Sequence, residues 1–203
     1  MMPSARTRFL ATEVRDRFVK EVDAALPSLV SVAKKAFSAV DVKDTRAYMH
    51  LHTAIMELRN HADAWVSGMQ REWSGALTGG DTRMGTPAAL TPTVLALVGD
   101  EEVESRILSS RLVLGISDMA AQEFNDLRIR MRHLDGSHDL HPKDVMRPET
   151  LARIVVDQWT EAQMSRESWA NIHEHMRIAL AHLVTEAYHH ANEFLIQHEV
   201  LPQ

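Results

Sequence analysis

The sequence predicts an all-α helical bundle of five to six helices, some long and antiparallel. Apolar residues recur every three to four positions along most of the 203 residues, the spacing that gathers them on one face of a helix. Alternating strand patterns are almost absent, and clusters of glycine and proline punctuate the long periodic runs. The composition of a folded chain supports this: 45% hydrophobic and 25% charged residues argue for a packed core over wholesale disorder.

Each element has its own signals. From Arg6 to Val40 the residues Phe9, Val14, Phe18, Val22, Leu26 and Phe37 fall at helical spacing. Pro27 lies inside the run, and a proline there removes a backbone donor and crowds the preceding turn, so a kink or a restart is expected. Asp41 is placed to cap the second helix, with Asp44 in its first turn. That helix, about 43–77, carries the stripe Leu51, Ile55, Leu58, Ala62, Trp65 and Met69, which should bury against other helices. Gly79, Gly80, Gly85, Pro87 and Pro92 interrupt the chain next. Residues 79–93 therefore form the linker between an N-terminal helical hairpin, 1–78, and a C-terminal helical region, 94–203, that packs with it as one structural unit.

A third helix, about 101–133, follows Asp100 as its N-cap and runs antiparallel to the second, with Gly115 in its interior. The break at 135–144 leads to Pro148, which suits the first position of a helix extending to Trp159. Ser165 caps the last helix, about 166–198, whose apolar face includes Ile172, Met176, Leu183, Ala187 and Ala191 and closes the core.

Several function classes fall away. With no cysteine, the chain has no disulfides, thiolate metal sites or cysteine nucleophile, and the expected setting is the cytoplasm. A net charge of -6 makes a general nucleic-acid coat or a polybasic membrane binder improbable on electrostatic grounds. The longest apolar stretch, 88–98, is far short of the roughly 20 residues of a spanning helix, and no export signal is recognisable at the N-terminus. Arg128, Arg130, Arg132 and His133 could touch phosphates, but cations that complement a helix C-terminus are the simpler explanation.

One segment opens with Leu95, Leu97, Val98, Asp100, Glu101, Glu102 and Glu104; a second is flanked by Pro142 and Pro148; a third ends in Val200, Leu201 and Pro202. In that order the three segments resemble a bacterial family defined as domain of unknown function 1631. The stretch Ala54 to Arg59 is similar to the same family's upstream helices. His141 and Gly99 depart from the pattern. The resemblance implies a helical bacterial protein and carries over no catalytic residue. Because chains of that family run on beyond the third motif, this chain is expected to be their N-terminal portion and to expose apolar surface. Such a surface would pair with itself or with another protein.

Twelve histidines invite a metal reading. His50, Glu57 and His61 fall within about 40° of one another on one helix face, and His182, Glu186 and His189, with His175 ahead of them, make a similar line on the last helix. Two such faces could hold zinc, manganese or iron in a bundle interior. The paired Glu-x-x-His pattern of di-iron bundles is present once instead of twice, and histidines at helix flanks are the commoner arrangement. A second group, His133, His138 and His141 with Asp135 and Asp139, has no fixed helical geometry. The reading preferred from sequence is a non-enzymatic protein-interaction or regulatory module without a cofactor, with the metal-binding bundle as its alternative.

Overall fold

The computed structural model describes residues 4–79 and 100–201. Among them are five helices and no strand: α1 (Ala5–Ser38), α2 (Thr45–Gly79), α3 (Asp100–Asp135), α4 (Pro148–Glu161) and α5 (Arg166–Gln197). Residues 80–93 of the expected linker lie outside the described residues.

α1 is one helix through Pro27, so of the kink or restart expected there the restart is not made. The proline sits on the exposed face while Val22, Leu26 and Leu29 on the other side are fully buried. Core packing therefore offsets the roughly 3 kcal/mol that an interior proline costs a helix. α2 begins after Asp44, whose Oδ1 accepts the Ala47 amide at 2.8 Å; Asp44, not Asp41, is its cap, because only Asp44 is three residues ahead of an unpaired first-turn donor. Asp100, expected as a cap, is already the first residue of α3. Pro148 opens α4, and Ser165 caps α5 by accepting the Ser168 amide at 3.2 Å. α4 and α5 end alike: Gln163 and Glu199 take positive φ, and the amides of Met164 and Val200 reach back to the carbonyls of Trp159 and Leu195.

α5 is the central element, packed mainly on α3 and α1. The α3–α5 pair is parallel: Glu104 bonds Arg166 and Arg130 bonds Asn192, each pair 62 residues apart in the chain. A constant offset at both ends means two helices running side by side in one direction. A Cβ on Gly115 would come within 2.5 Å of Arg177 Cγ, so glycine lets the two axes approach closely. α1 opposes α5, with Arg6 bonding the His198 carbonyl and Glu21 bonding His190. The long antiparallel packing thus belongs to α1 with α5. α2 and α3 both start beside the first turn of α5, as His50–Glu167 and Arg166–Glu104 show, so the antiparallel pairing expected between them is not formed.

The core is aromatic at one end. Trp65, Trp159 and Trp169 meet edge to face with centroids 5.1 to 6.5 Å apart. Trp65 Nε1 donates to the Val155 carbonyl and Trp159 Nε1 to that of Ser165. Gly68 packs against Gln158, whose amide would clash with any Cβ there. At the other end Phe18 stacks on Tyr188, and the Tyr188 hydroxyl donates to the Met146 carbonyl at 2.6 Å. Burial first, and the nearby Glu149 and Asp144 carboxylates second, push that phenol well above its ordinary range.

Candidate interaction face on the third helix

The first half of α3 is apolar on two opposite sides. Leu112, Ile116 and Ala120 are fully buried against the bundle. Val103, Ile107 and Leu114 point the other way and are 44%, 49% and 62% exposed. At 100° per residue, Val103, Ile107, Ser110 and Leu114 span an arc of about 60°, a narrow seam of the kind that meets another helix. Arg106 and Arg111 flank them on the same open surface of α3.

The same seam continues C-terminally through Ser117, Ala121, Asn125 and Arg128, which line a cleft of about 270 Å³ closed on one side by Pro148 and Glu149 of α4. Glu149 is in the first turn of α4, where the helix dipole favours a carboxylate. Small side chains at Ser110, Ser117 and Ala121 leave the seam low between larger neighbours.

Cations border this face. Arg106 is paired with Glu102, and Arg128 bonds the Asn125 side-chain oxygen at 3.3 Å. Arg111, Arg128 and Arg132 form no ion pair among the described residues, and the Nε atoms of Arg128 and Arg132 are buried without a partner. The field of Arg111 reaches His173, whose imidazole is held below its ordinary range first by burial and then by that guanidinium. Arg130, by contrast, is buried and donates to Asn192 at 2.9 Å. The arginine run near the end of α3 is therefore divided between core and surface, not displayed as one patch.

The structure does not bring the six histidine and glutamate candidates together. His50 lies 3.4 Å from Glu167 on the surface. Glu57 caps α5: its Oε2 accepts from the Ser165 amide at 3.1 Å, the Ser165 hydroxyl at 3.0 Å and the Ser168 hydroxyl at 2.5 Å, a carboxylate at the positive end of a helix. His61 is half-buried, and His182 and Glu186 are exposed on α5. His189 bonds Glu123 of α3 at 3.0 Å. Among the described residues no three histidine or acidic side chains gather as a metal would require. In the α3–α4 connection the carboxylates are engaged by arginines, Asp135 by Arg15 and Asp139 by Arg147.

Two polar clusters have no counterpart in the sequence reading. Arg15 is held between Asp135 at 2.6 Å and Asp144 at 2.7 Å. Burial opposes its charge, but the two carboxylates outweigh that and raise the guanidinium above its ordinary range. Asn192 donates to the Glu123 carboxylate and carbonyl and accepts from Arg130. Partners 62 to 129 residues apart leave no local signal. The two-sided pattern of α3, in contrast, is visible in the spacing of Val103, Ile107 and Leu114 against Leu112 and Ile116. Two apolar residues expected inside, Phe9 and Ile55, are exposed, because each is off the axis of the stripe its helix buries.

No helix among the described residues is long and apolar enough to cross a membrane. The family model described as protein of unknown function (DUF1631), N-terminal domain, matches residues 6–199. No curated protein and no solved structure matches the chain.

Proposed function

Because the chain belongs to the DUF1631 family, whose N-terminal domain matches residues 6–199, we propose that it is a helical protein-interaction domain whose docking face is the outer seam of α3. The observation that carries this is the exposure of Val103, Ile107 and Leu114 on the side opposite a fully buried face. A bundle helix needs one apolar side for its own core, and a second one in a single line along the helix supports a docking role. The setting is a bacterial cytoplasm, which the family resemblance and the cysteine-free composition support.

The test is positional. A photo-crosslinking amino acid at Ile107 should trap a discrete adduct in the cells that make the protein, and one at Ala24, exposed on α1, should not. Leu114→Glu should remove the Ile107 adduct while leaving the helical circular dichroism and the melting midpoint unchanged. Equal trapping from both positions, or none from Ile107, would sink the reading.

A further inference from the structure

We infer that His173 is a proton-operated latch between the first half of α3 and the tryptophan cluster, closed while its imidazole is neutral and opened by acid. The latch is inside the fold and stands whether or not a partner sits on the outer seam. Its closed form is fixed by donor chemistry. Trp169 Nε1 lies 3.2 Å from His173 Nδ1, and an indole nitrogen can only donate, so Nδ1 carries the lone pair and the ring's one proton is on Nε2. Trp169 is 1% exposed, and a donor at that depth is costly to leave unpaired. Its ring also meets Trp159 of α4 at 5.2 Å and Trp65 of α2 at 6.5 Å, which ties three helices to this one bond.

The charges that act on His173 are Arg111 of α3 and, on α5 itself, Glu174 and Arg177; none of them comes from α1, α2 or α4. Glu174 is already engaged, with both oxygens bonded by Arg177. Arg177 in turn lies over Gly115 and feels Asp118, both on α3. A second proton on the imidazole has to go to Nδ1. The indole then faces an N–H where a lone pair was, their hydrogen bond is lost, and a new cation stands beside Arg111 and Arg177. Burial first, and those two guanidiniums after it, oppose that proton and hold the imidazole below its ordinary range. A group held in this way contributes stability above its unfolded value of about 6.5 and loses it as pH falls through the folded one, so the latch opens in acid and not in the neutral range. What gives is α3. Trp169 is held by two other rings, whereas Arg111 has no ion pair among the described residues, and the ion pair that ties its half of α3 to α5 is the Glu104–Arg166 contact, in which the Glu104 side chain is exposed.

The test follows the bond and the helix separately. The full chain labelled with nitrogen-15 tryptophan gives four indole signals, one for each tryptophan, and Trp169→Phe assigns its own. Between about pH 7.5 and about pH 4.5 the Trp169 signal should follow a single-proton curve with its midpoint below 6.5. His173→Gln, whose amide oxygen accepts the same bond but takes no proton, should hold that signal still, and Arg111→Gln should shift the midpoint upward. Because the chain has no cysteine, spin labels at S110C and N171C, exposed on α3 and α5, report the separation of the two helices. Below the midpoint their distance distribution should lengthen or broaden with His173 in place and stay unchanged with H173Q. A Trp169 signal that does not titrate, or that titrates equally in H173Q, overturns the inference. Titration without any change in the spin-label distances overturns it too, and so does an equal change in both backgrounds, which is acid unfolding by another route. If H173Q fails to fold, R111Q decides: an upward shift of the midpoint upholds the latch, and an unmoved one overturns it.

Discussion

Arg15 shows how one side chain can decide whether two remote segments stay joined. It reaches from α1 to the end of α3 and to the connection before α4, and Asp144 is almost fully enclosed at the contact, with a side chain 4% exposed. Removing the guanidinium leaves that carboxylate buried without its counter-charge, the costly half of any buried ion pair. Arg15→Ala should lower stability by about 3 kcal/mol, read as a fall in the urea midpoint at constant slope. The double variant R15A/D144A should recover part of the loss, since no charge is then stranded. If the double variant is as unstable as the sum of the two single variants, the interpretation fails. Trp73 is the opposite case: its ring is fully buried, but its indole N–H finds no acceptor among the described residues, so its contribution is packing alone.

At the scale of elements, neighbouring histidines on α5 fasten it to two helices at once, His189 to Glu123 of α3 and His190 to Glu21 of α1. The hydrogen bond that the Glu123 carboxylate accepts raises the His189 imidazole above its ordinary value of 6.5. Burial opposes ionisation of Glu123, but the bonds from His189 and Asn192 outweigh it and hold the carboxyl below 4.5. A raised imidazole contributes its stability below the unfolded value and loses it as pH climbs through the folded one. A lowered carboxyl contributes above its unfolded value and loses it in acid. The pair therefore helps most between about pH 4.5 and 6.5. The melting difference between wild type and His189→Gln should be largest there and shrink as pH rises through neutrality; a difference that grows with pH would contradict this. Both groups are exposed enough that the effect should be small.

How much of each element the sequence announces depends on whether its cause is local. Helix existence, the Pro148 start and the Ser165 cap are local, and they are legible. Asp41 and Asp44 are both plausible caps, and the choice falls to a spacing of three residues that tertiary packing enforces. Ile55 reads as core because it is four from Leu51 and three from Leu58. In the structure α2 turns Ala54 inward instead, since the buried stripe follows Leu58, Ala62, Trp65 and Met69. The exposed apolar seam of α3 is within reach of the same arithmetic, as a second line opposite Leu112 and Ile116. The arginines along it could not be assigned, because whether a guanidinium is paired depends on which helices stand next to it.

For the molecule as a whole, α5 has the decisive place. Its buried face receives α1 through Phe18 and Tyr188 and α3 through the Arg130–Asn192 bond, so neither the hairpin of α1 and α2 nor the remaining helices complete a core alone. Urea unfolding should follow one transition, with far-ultraviolet circular dichroism and tryptophan emission coincident. Residues 1–78 expressed alone should be largely unfolded, since Val14, Phe18 and Val22 would lose what covers them. Two separated transitions would mean that the hairpin and the rest are independent units.

The tryptophans add a spectroscopic consequence. All four are at most 2% exposed and belong to α2, α4 and α5, with none on α1 or α3. Their emission is therefore a report on the interior, and their edge-to-face coupling should make the near-ultraviolet dichroic bands collapse when α2 parts from α4 and α5. A partner settling on the outer seam of α3 would leave that light unchanged, so occupation of that face and loss of the fold are told apart by the tryptophans alone.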